Sequence, residues 1–248
     1  MRKGLWNTVA GNFVGKLEQL MEDSPDIDKY KNTVESSIYR ELDFGQAPVT
    51  VTVRLGSAIR MGKYFIGTDK LGHFFAEGNA DFRTYFIEGQ PLSSIINYGI
   101  VTEVGVFGAA TTSVYSKADT TANFNGSIFW SQATPQFIND KRMLVKGSPY
   151  FECKGGQWEQ VRQFNWLDYL DAGFSEKDNC SEYRTKDVYD SVYKGVEETM
   201  KEYEAKTHLK SPNLHCPVQK ELCVAAAKRY GYYAKYLLHD KCRNAVSE

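Results

Sequence analysis

Two short groups of polar residues recur at helical spacing in the first half of the chain. The first is Asp69, Lys70 and His73, and the second is Ser116, Asp119, Asn123 and Gly126. Residues four apart on a helix share a face, so Asp69 stacks with His73 and Asp119 with Asn123. Between the groups lies Glu103, the lone charged residue from Gly89 to Ser116. A carboxylate in so apolar a stretch is costly unless paired, and Lys70 and His73 are the natural partners. Gathered in one pocket, these groups suit general acid–base hydrolysis. Glu103 or Asp119 would be the base, His73 the proton shuttle and Lys70 the electrostatic stabiliser. Asp69, Asn123 and Ser116 would bind the ligand. On this reading Glu103→Gln abolishes turnover and spares the fold. The same donors also suit a hard or borderline cation held by Asp69, His73 and Glu103 or Asp119, but no metal and no cofactor is assigned. Each residue also has a structural role open to it. Asp69 can stabilise a helix start, Asp119 can complete a capping box, and Lys70 with Glu103 can be a buried pair. In that alternative the protein is a binding or scaffold protein and not an enzyme.

The elements that must position these groups are mostly helical. Residues 68–89 form a helix with Thr68 as N-cap and Gly89-Gln90-Pro91 as its end. Pro91 to Thr112 reads as a helix buried nearly all round, of a length close to the ~20 residues a bilayer requires. Ser116-x-x-Asp119 is a capping box opening a third helix through Ala133. Before them, residues 5–23 carry apolar positions at helical spacing, and a second helix spans Ile27 to Leu42. Pro48 to Leu55 alternates Val with Thr and Arg, which predicts a short strand from Val49. After them, Gly155-Gly156 between Tyr150-Phe-Glu-Cys and Gln157-Trp-Glu-Gln-Val predicts a hairpin. Helices follow over 185–208 and 218–239, with the tyrosines of the latter read as packing residues. The fold class is mainly α: a compact helical core with a short strand before it and a small antiparallel hairpin after it. Three segments are expected: 1–47 helical, 48–134 the core with the polar constellation, and 135–248 the hairpin with a cysteine-containing helical region packed on the core.

The chain has 248 residues, 25% charged, with a net charge of −1. That balance fits a globular protein and gives no electrostatic reason for a nucleic-acid partner. No Gly-x-Ser-x-Gly, His-Glu-x-x-His, P-loop or Gly-x-Gly-x-x-Gly occurs, which disfavours the enzymes built on those motifs. Five cysteines, Cys153, Cys180, Cys216, Cys223 and Cys242, contain no Cys-x-x-Cys pair. They fit disulfides in an oxidising compartment, with at least one thiol left over. His215-Cys216 followed by Pro217 reads as a loop with a structural cysteine. Met1-Arg2-Lys3 has the charge of a signal-peptide start, yet no apolar core follows it, so either the protein is not exported by this route or a leader has been removed.

The string Asp69-Lys70-Leu-Gly-His73-Phe74, then Glu103, then Ser116-Lys-Ala-Asp119-Thr-Thr-Ala122-Asn123-Phe-Asn-Gly126 resembles the arrangement of VanZ-like proteins and YfiM-like bacterial envelope lipoproteins. The resemblance covers about residues 64–130. It implies a periplasmic or envelope-associated protein with a helical core, and as partners an envelope small molecule, lipid or glycan and a peripheral membrane contact. The chain departs from VanZ-like proteins in lacking their run of membrane helices, so their association with glycopeptide tolerance does not carry over. The matching positions are Asp69, Lys70, His73, Glu103, Asp119 and Asn123.

Overall fold

The computed structural model describes residues 2–10, 15–52, 55–96, 112–133 and 148–247. The protein is mainly α, with three small antiparallel sheets among the described residues. At its centre lie two helices. The first, α4, runs from Asp69 to Ile87 and contains two widened turns, His73–Glu77 and Arg83–Ile87. The second, α5, spans Lys117–Ala133, and each of its 17 residues is buried. The two meet at glycines. A Cβ on Gly78 would lie 2.6 Å from the Gly126 Cα, and one on Gly126 would lie 1.9 Å from the Phe74 carbonyl oxygen. Only hydrogen side chains allow this approach, so Gly126 sets the spacing between the helices rather than serving as a site residue.

Aromatic packing closes one side of this pair. Phe74, Phe75 and Phe129 meet Trp166 and Tyr169 with ring centroids 5.0–6.1 Å apart. The same core continues through Phe82, Trp130 and Tyr150 to Tyr230, Leu237 and Cys242. Residues from the first and the last parts of the chain therefore share one hydrophobic centre.

Ahead of α4, β1 (Lys29–Tyr30), β2 (Ala58–Met61) and β3 (Tyr64–Gly67) form an antiparallel sheet, with Ile59 opposite Ile66. Its last strand runs directly into α4. Helix α1 is Arg2–Val9 and α2 is Lys16–Asp23, so the 5–23 helix expected from the sequence holds at both ends, while 11–14 lie outside the described residues. Beyond the core, β4 (Val114–Tyr115) pairs with β7 (Glu182–Tyr183). Strands β5 (Phe151–Lys154) and β6 (Gln157–Gln160) pair across Gly155 and Gly156, at φ of 57° and 81°. That left-handed conformation is one glycine adopts freely. Helix α6 spans Lys186–Thr207, capped by the Thr185 hydroxyl accepting from the Val188 N–H. Helix α7, Lys220–Tyr230, stops at Gly231, and α8 resumes over Ala234–Leu237, so the expected 218–239 helix is broken in two.

Two expected elements are replaced. Residues 27–42 do not form a helix, because Thr33, Ser36 and Ser37 turn their hydroxyls onto neighbouring backbone groups and hold the chain in successive tight turns. Residues 48–52 form a short helix, α3 (Pro48–Thr52), and not the start of a strand. Pro48 opens it, the Thr52 hydroxyl donates back to the Pro48 carbonyl at 2.6 Å, and Val51 packs toward Leu42, Ala47, Val188 and Val192. The Val–Thr alternation misled because Thr50 also points inward, its hydroxyl donating to the Thr112 carbonyl at 2.8 Å. Residues 92–96 are helical, with Ile95 and Ile96 buried. Residues 97–111 of the expected Pro91–Thr112 helix, Glu103 included, lie outside the described residues, and Thr112 is in a turn. Among the described residues no helix is long and apolar enough to cross a membrane. Cys180 is bonded to Cys216 and Cys223 to Cys242, which fits an oxidising compartment, and Cys153 is free and exposed on the hairpin.

Candidate functional site: carboxylates around a buried lysine

The Lys70 side chain is 1% exposed and ends among three carboxylates. Its Nζ lies 2.7 Å from Asp69 Oδ2 and 2.7 Å from Glu176 Oε1, and it also contacts Asp119 Oδ1. Burial alone would push this ammonium down, but Asp119, then Asp69 and Glu176, outweigh it and hold Lys70 well above its ordinary value. Lys70 is thus a permanent cation whose hydrogen bonds are taken by the protein. It positions the carboxylates around it.

Each carboxylate arrives from a different element. Asp69 sits in the first turn of α4. Asp119 sits in the first turn of α5, where its N–H donates to Ser116 Oγ at 3.3 Å while its carboxylate turns away to Lys70. Glu176 comes from the loop after the short turn Ala172–Phe174, and it accepts from Ser116 Oγ at 3.0 Å. Thr68 does not cap α4 with its hydroxyl. It donates instead to Glu22 Oε1, whose carboxylate also accepts from the Ser57 N–H and hydroxyl at 2.7 and 2.8 Å. That knot fixes α2, the sheet and the start of α4 together.

His73, one turn after Asp69, opens the first widened turn of α4, and its carbonyl accepts from the Gly78 N–H. Wide turns of this kind occur often at functional sites. The ring places Nε2 3.4 Å from Asp119 Oδ2 and Nδ1 3.1 Å from the Asn123 amide. With its nitrogen toward the ring, that amide donates to His73 Nδ1 and to the carbonyls of His73 and Asp119. The proton then belongs on Nε2, facing Asp119. The structure therefore brings together Asp69, Lys70, His73, Ser116, Asp119 and Asn123. Glu103 lies outside the described residues.

The cluster forms one wall of a cavity of about 590 Å³, lined also by Tyr39 and Phe65. Asp69 and Glu176 are the most open members, each with a side chain 39% exposed, against 11% for Asp119 and 23% for His73. Because both bind one ammonium at 2.7 Å, Asp69 Oδ2 and Glu176 Oε1 can be no more than twice that distance, 5.4 Å, apart. A second cavity of about 360 Å³ shares Asp69, Thr50, Leu55, Gly56 and Thr112 with the first, and adds Glu18 and Glu22. Burial, then the negative charges of Asp69 and Glu22, push the Glu18 carboxyl up to about 7, against the opposing pull of His73 and the Gly15 backbone. Glu18 owes its place to another glycine contact, since a Cβ on Gly72 would lie 2.3 Å from Glu18 Oε2.

Sequence reasoning missed Glu176 and Glu18. Glu176 sits in an irregular loop with no periodicity to mark it. Glu18 had a faint signal in Gly15, which weakened the expected helix yet stands at its start with room for the Gly72 backbone. Asp69, His73 and Asp119 each offer one ligand atom within 4.8 Å of the others, a spacing open to a divalent cation. The Asn123 amide argues for a proton network instead, because a proton on His73 Nε2 removes the lone pair a metal would need. No family model, curated protein or solved structure matches this chain.

Proposed function

We propose that this is an extracytoplasmic, envelope-associated hydrolase whose reaction takes place in the cavity beside Lys70. The observation that carries the reading is that Asp69 and Glu176, from separate elements, face one cavity while a buried ammonium grips one oxygen of each. Such a grip keeps both groups oriented, as a base or nucleophile must be. Glu18, beside Asp69, exchanges a proton near neutral pH, which suits the acid role. His73 with Asp119 links the two sides as a proton relay. The envelope setting rests on the resemblance of the 64–130 string to YfiM-like and VanZ-like proteins, supported by the two disulfides. Its substrate would be an envelope small molecule, lipid or glycan.

The test is turnover of purified cell-wall and lipid fractions by the full chain and by Glu176→Gln. Loss of at least a hundredfold in rate, with the melting temperature kept, supports the proposal. Unchanged turnover removes Glu176 from the reaction.

A second reading, a non-catalytic scaffold, draws on the full engagement of both His73 nitrogens. In that case no fraction is turned over, and His73→Gln lowers stability only.

A further inference from the structure

A cavity of about 570 Å³ lies against the one just described and shares Ile38, Tyr39, Glu176 and Lys177 with it. Its wall carries a row of rings. Tyr183 and Tyr189 have centroids 5.9 Å apart, Tyr189 and Tyr193 6.1 Å, and Tyr193 stacks on His215 at 4.5 Å with 17° between planes. Tyr189 and Tyr193 are one helical turn apart on α6, beside the core-facing Val188, Val192 and Val196. They are 40% and 45% exposed. The valines bury that helix without them, so packing does not account for the two rings. His215 is fixed from behind by Glu197, at 2.7 Å from Nε2, and the Cys180–Cys216 disulfide anchors the loop that carries it.

We propose that this row is a glycan subsite, and that the substrate is a chain of pyranose rings lying across both cavities. The proposal rests on the hydrolase reading and names its substrate class. Three observations converge on it. Exposed, fixed aromatic faces bind groups with one apolar and one polar aspect, as a sugar ring has. The charges on the wall are mixed, with Lys177, Lys186 and Lys241 set against Glu176 and Glu182, which suits a chain rich in hydroxyls better than a polyanion or an acyl chain. Glu176 stands where the cavities join, within 5.4 Å of Asp69 between their lysine-bound oxygens. That limit lies below the roughly 6.5–9.5 Å of carboxyl pairs that admit a water between them, which leaves the closer class of pairs, those that act on glycosidic bonds through a covalent intermediate. Cleavage of such a bond consumes water alone: the anomeric carbon gains a hydroxyl and the leaving oxygen a proton, with no oxidation or reduction.

The experiment is calorimetry on the full chain with soluble hexasaccharides of glucose, mannose and N-acetylglucosamine at millimolar concentration. At least one binds the wild-type protein. Tyr189→Ala and Tyr193→Ala each weaken that binding about tenfold, while the Phe variants, which keep the ring, stay within about twofold. Absence of binding by every hexasaccharide, or equal affinity in the Ala variants, overturns the proposal. So does tyrosine-dependent binding of phospholipid vesicles or oligonucleotides in place of sugars. Tyrosine-dependent binding without cleavage leaves the glycan subsite standing and removes the hydrolase reading.

Discussion

Helix α5 carries two polar faces, and they meet different fates. Asp119 and Asn123 turn toward α4, where they join Lys70 and His73 beside a cavity. Thr121 and Asn125, two residues further along, turn the opposite way. Thr121 donates to the Leu237 carbonyl at 2.9 Å, and Asn125 donates to the Tyr230 hydroxyl at 2.8 Å. Beyond them, Asp171 accepts from the Gly173 N–H and lies 3.4 Å from Arg229. Both clusters contain acids, a cation and an amide. The polar atoms of the second fasten α5 to α7 and α8. In the first, the cation is sealed in and two carboxylates are left facing outward. In the second, the acid is sealed in and the cation, Arg229, reaches the surface with its side chain 35% exposed. Which partner is buried separates a cluster that can meet a ligand from one that only ties helices together.

The comparison can be broken at several points. The two largest effects are of similar size, and the first belongs to the contact both clusters depend on. Gly126→Ala drives a methyl group into the Phe74 carbonyl, and we expect a loss of about 3 kcal/mol or more, read by denaturant unfolding. Next is Lys70→Met, which strands three carboxylates. A loss of about 3–5 kcal/mol is expected at pH 7, read by the same unfolding measurement. The raised Lys70 pKa gives the sign of the pH dependence in the wild type, with stabilisation complete below its ordinary 10.5 and lost only as the pH climbs through the higher folded value. Arg229→Met, the counterpart in the closed cluster, should cost only about 1 kcal/mol. Water already reaches the guanidinium, 35% exposed, and screens its pairing with Asp171. A Lys70→Met loss no greater than that of Arg229→Met would erase the distinction.

The smallest effect is at Glu18. A carboxyl raised from 4.5 to about 7 favours the folded state most below pH 4.5, and that contribution is lost as the pH rises through 7. Glu18→Gln should therefore raise the melting temperature by about 2–4 °C at pH 8 and leave it unchanged at pH 4. A gain of equal size at both values would mean that charge is not the cause.

Much of this architecture is visible in residue order, for local reasons. The helices over 69–87 and 117–133 announce themselves through Ser116, Gly89 and spacing, and the two i,i+4 pairs follow once those helices are granted. The glycine hairpin is equally local. What stays hidden is set by distant partners. Thr50 looks like the polar half of a strand until Thr112 accepts its hydrogen bond. Ser36 and Ser37 look like tolerable helix residues until they compete for the backbone. Glu176 belongs to the lysine cluster only because the Ala172–Phe174 turn aims it there. Thr121 and Asn125 gave no sign of a second polar face, because their partners lie more than a hundred residues away.

Helix α5 has one further consequence, for how the molecule comes apart. Its sequence is rich in Thr, Asn, Ser and Gly, all weak helix formers, so an isolated peptide of these 17 residues would be largely coil in water. The segment holds its shape only while both neighbours enclose it. Loosening either flank exposes a strand of chain with no reason to remain coiled, and the other flank then loses its support. Heat or urea should take the enclosed body down in a single cooperative step, and the amide protons of residues 120–131 should be among the last to exchange with deuterium.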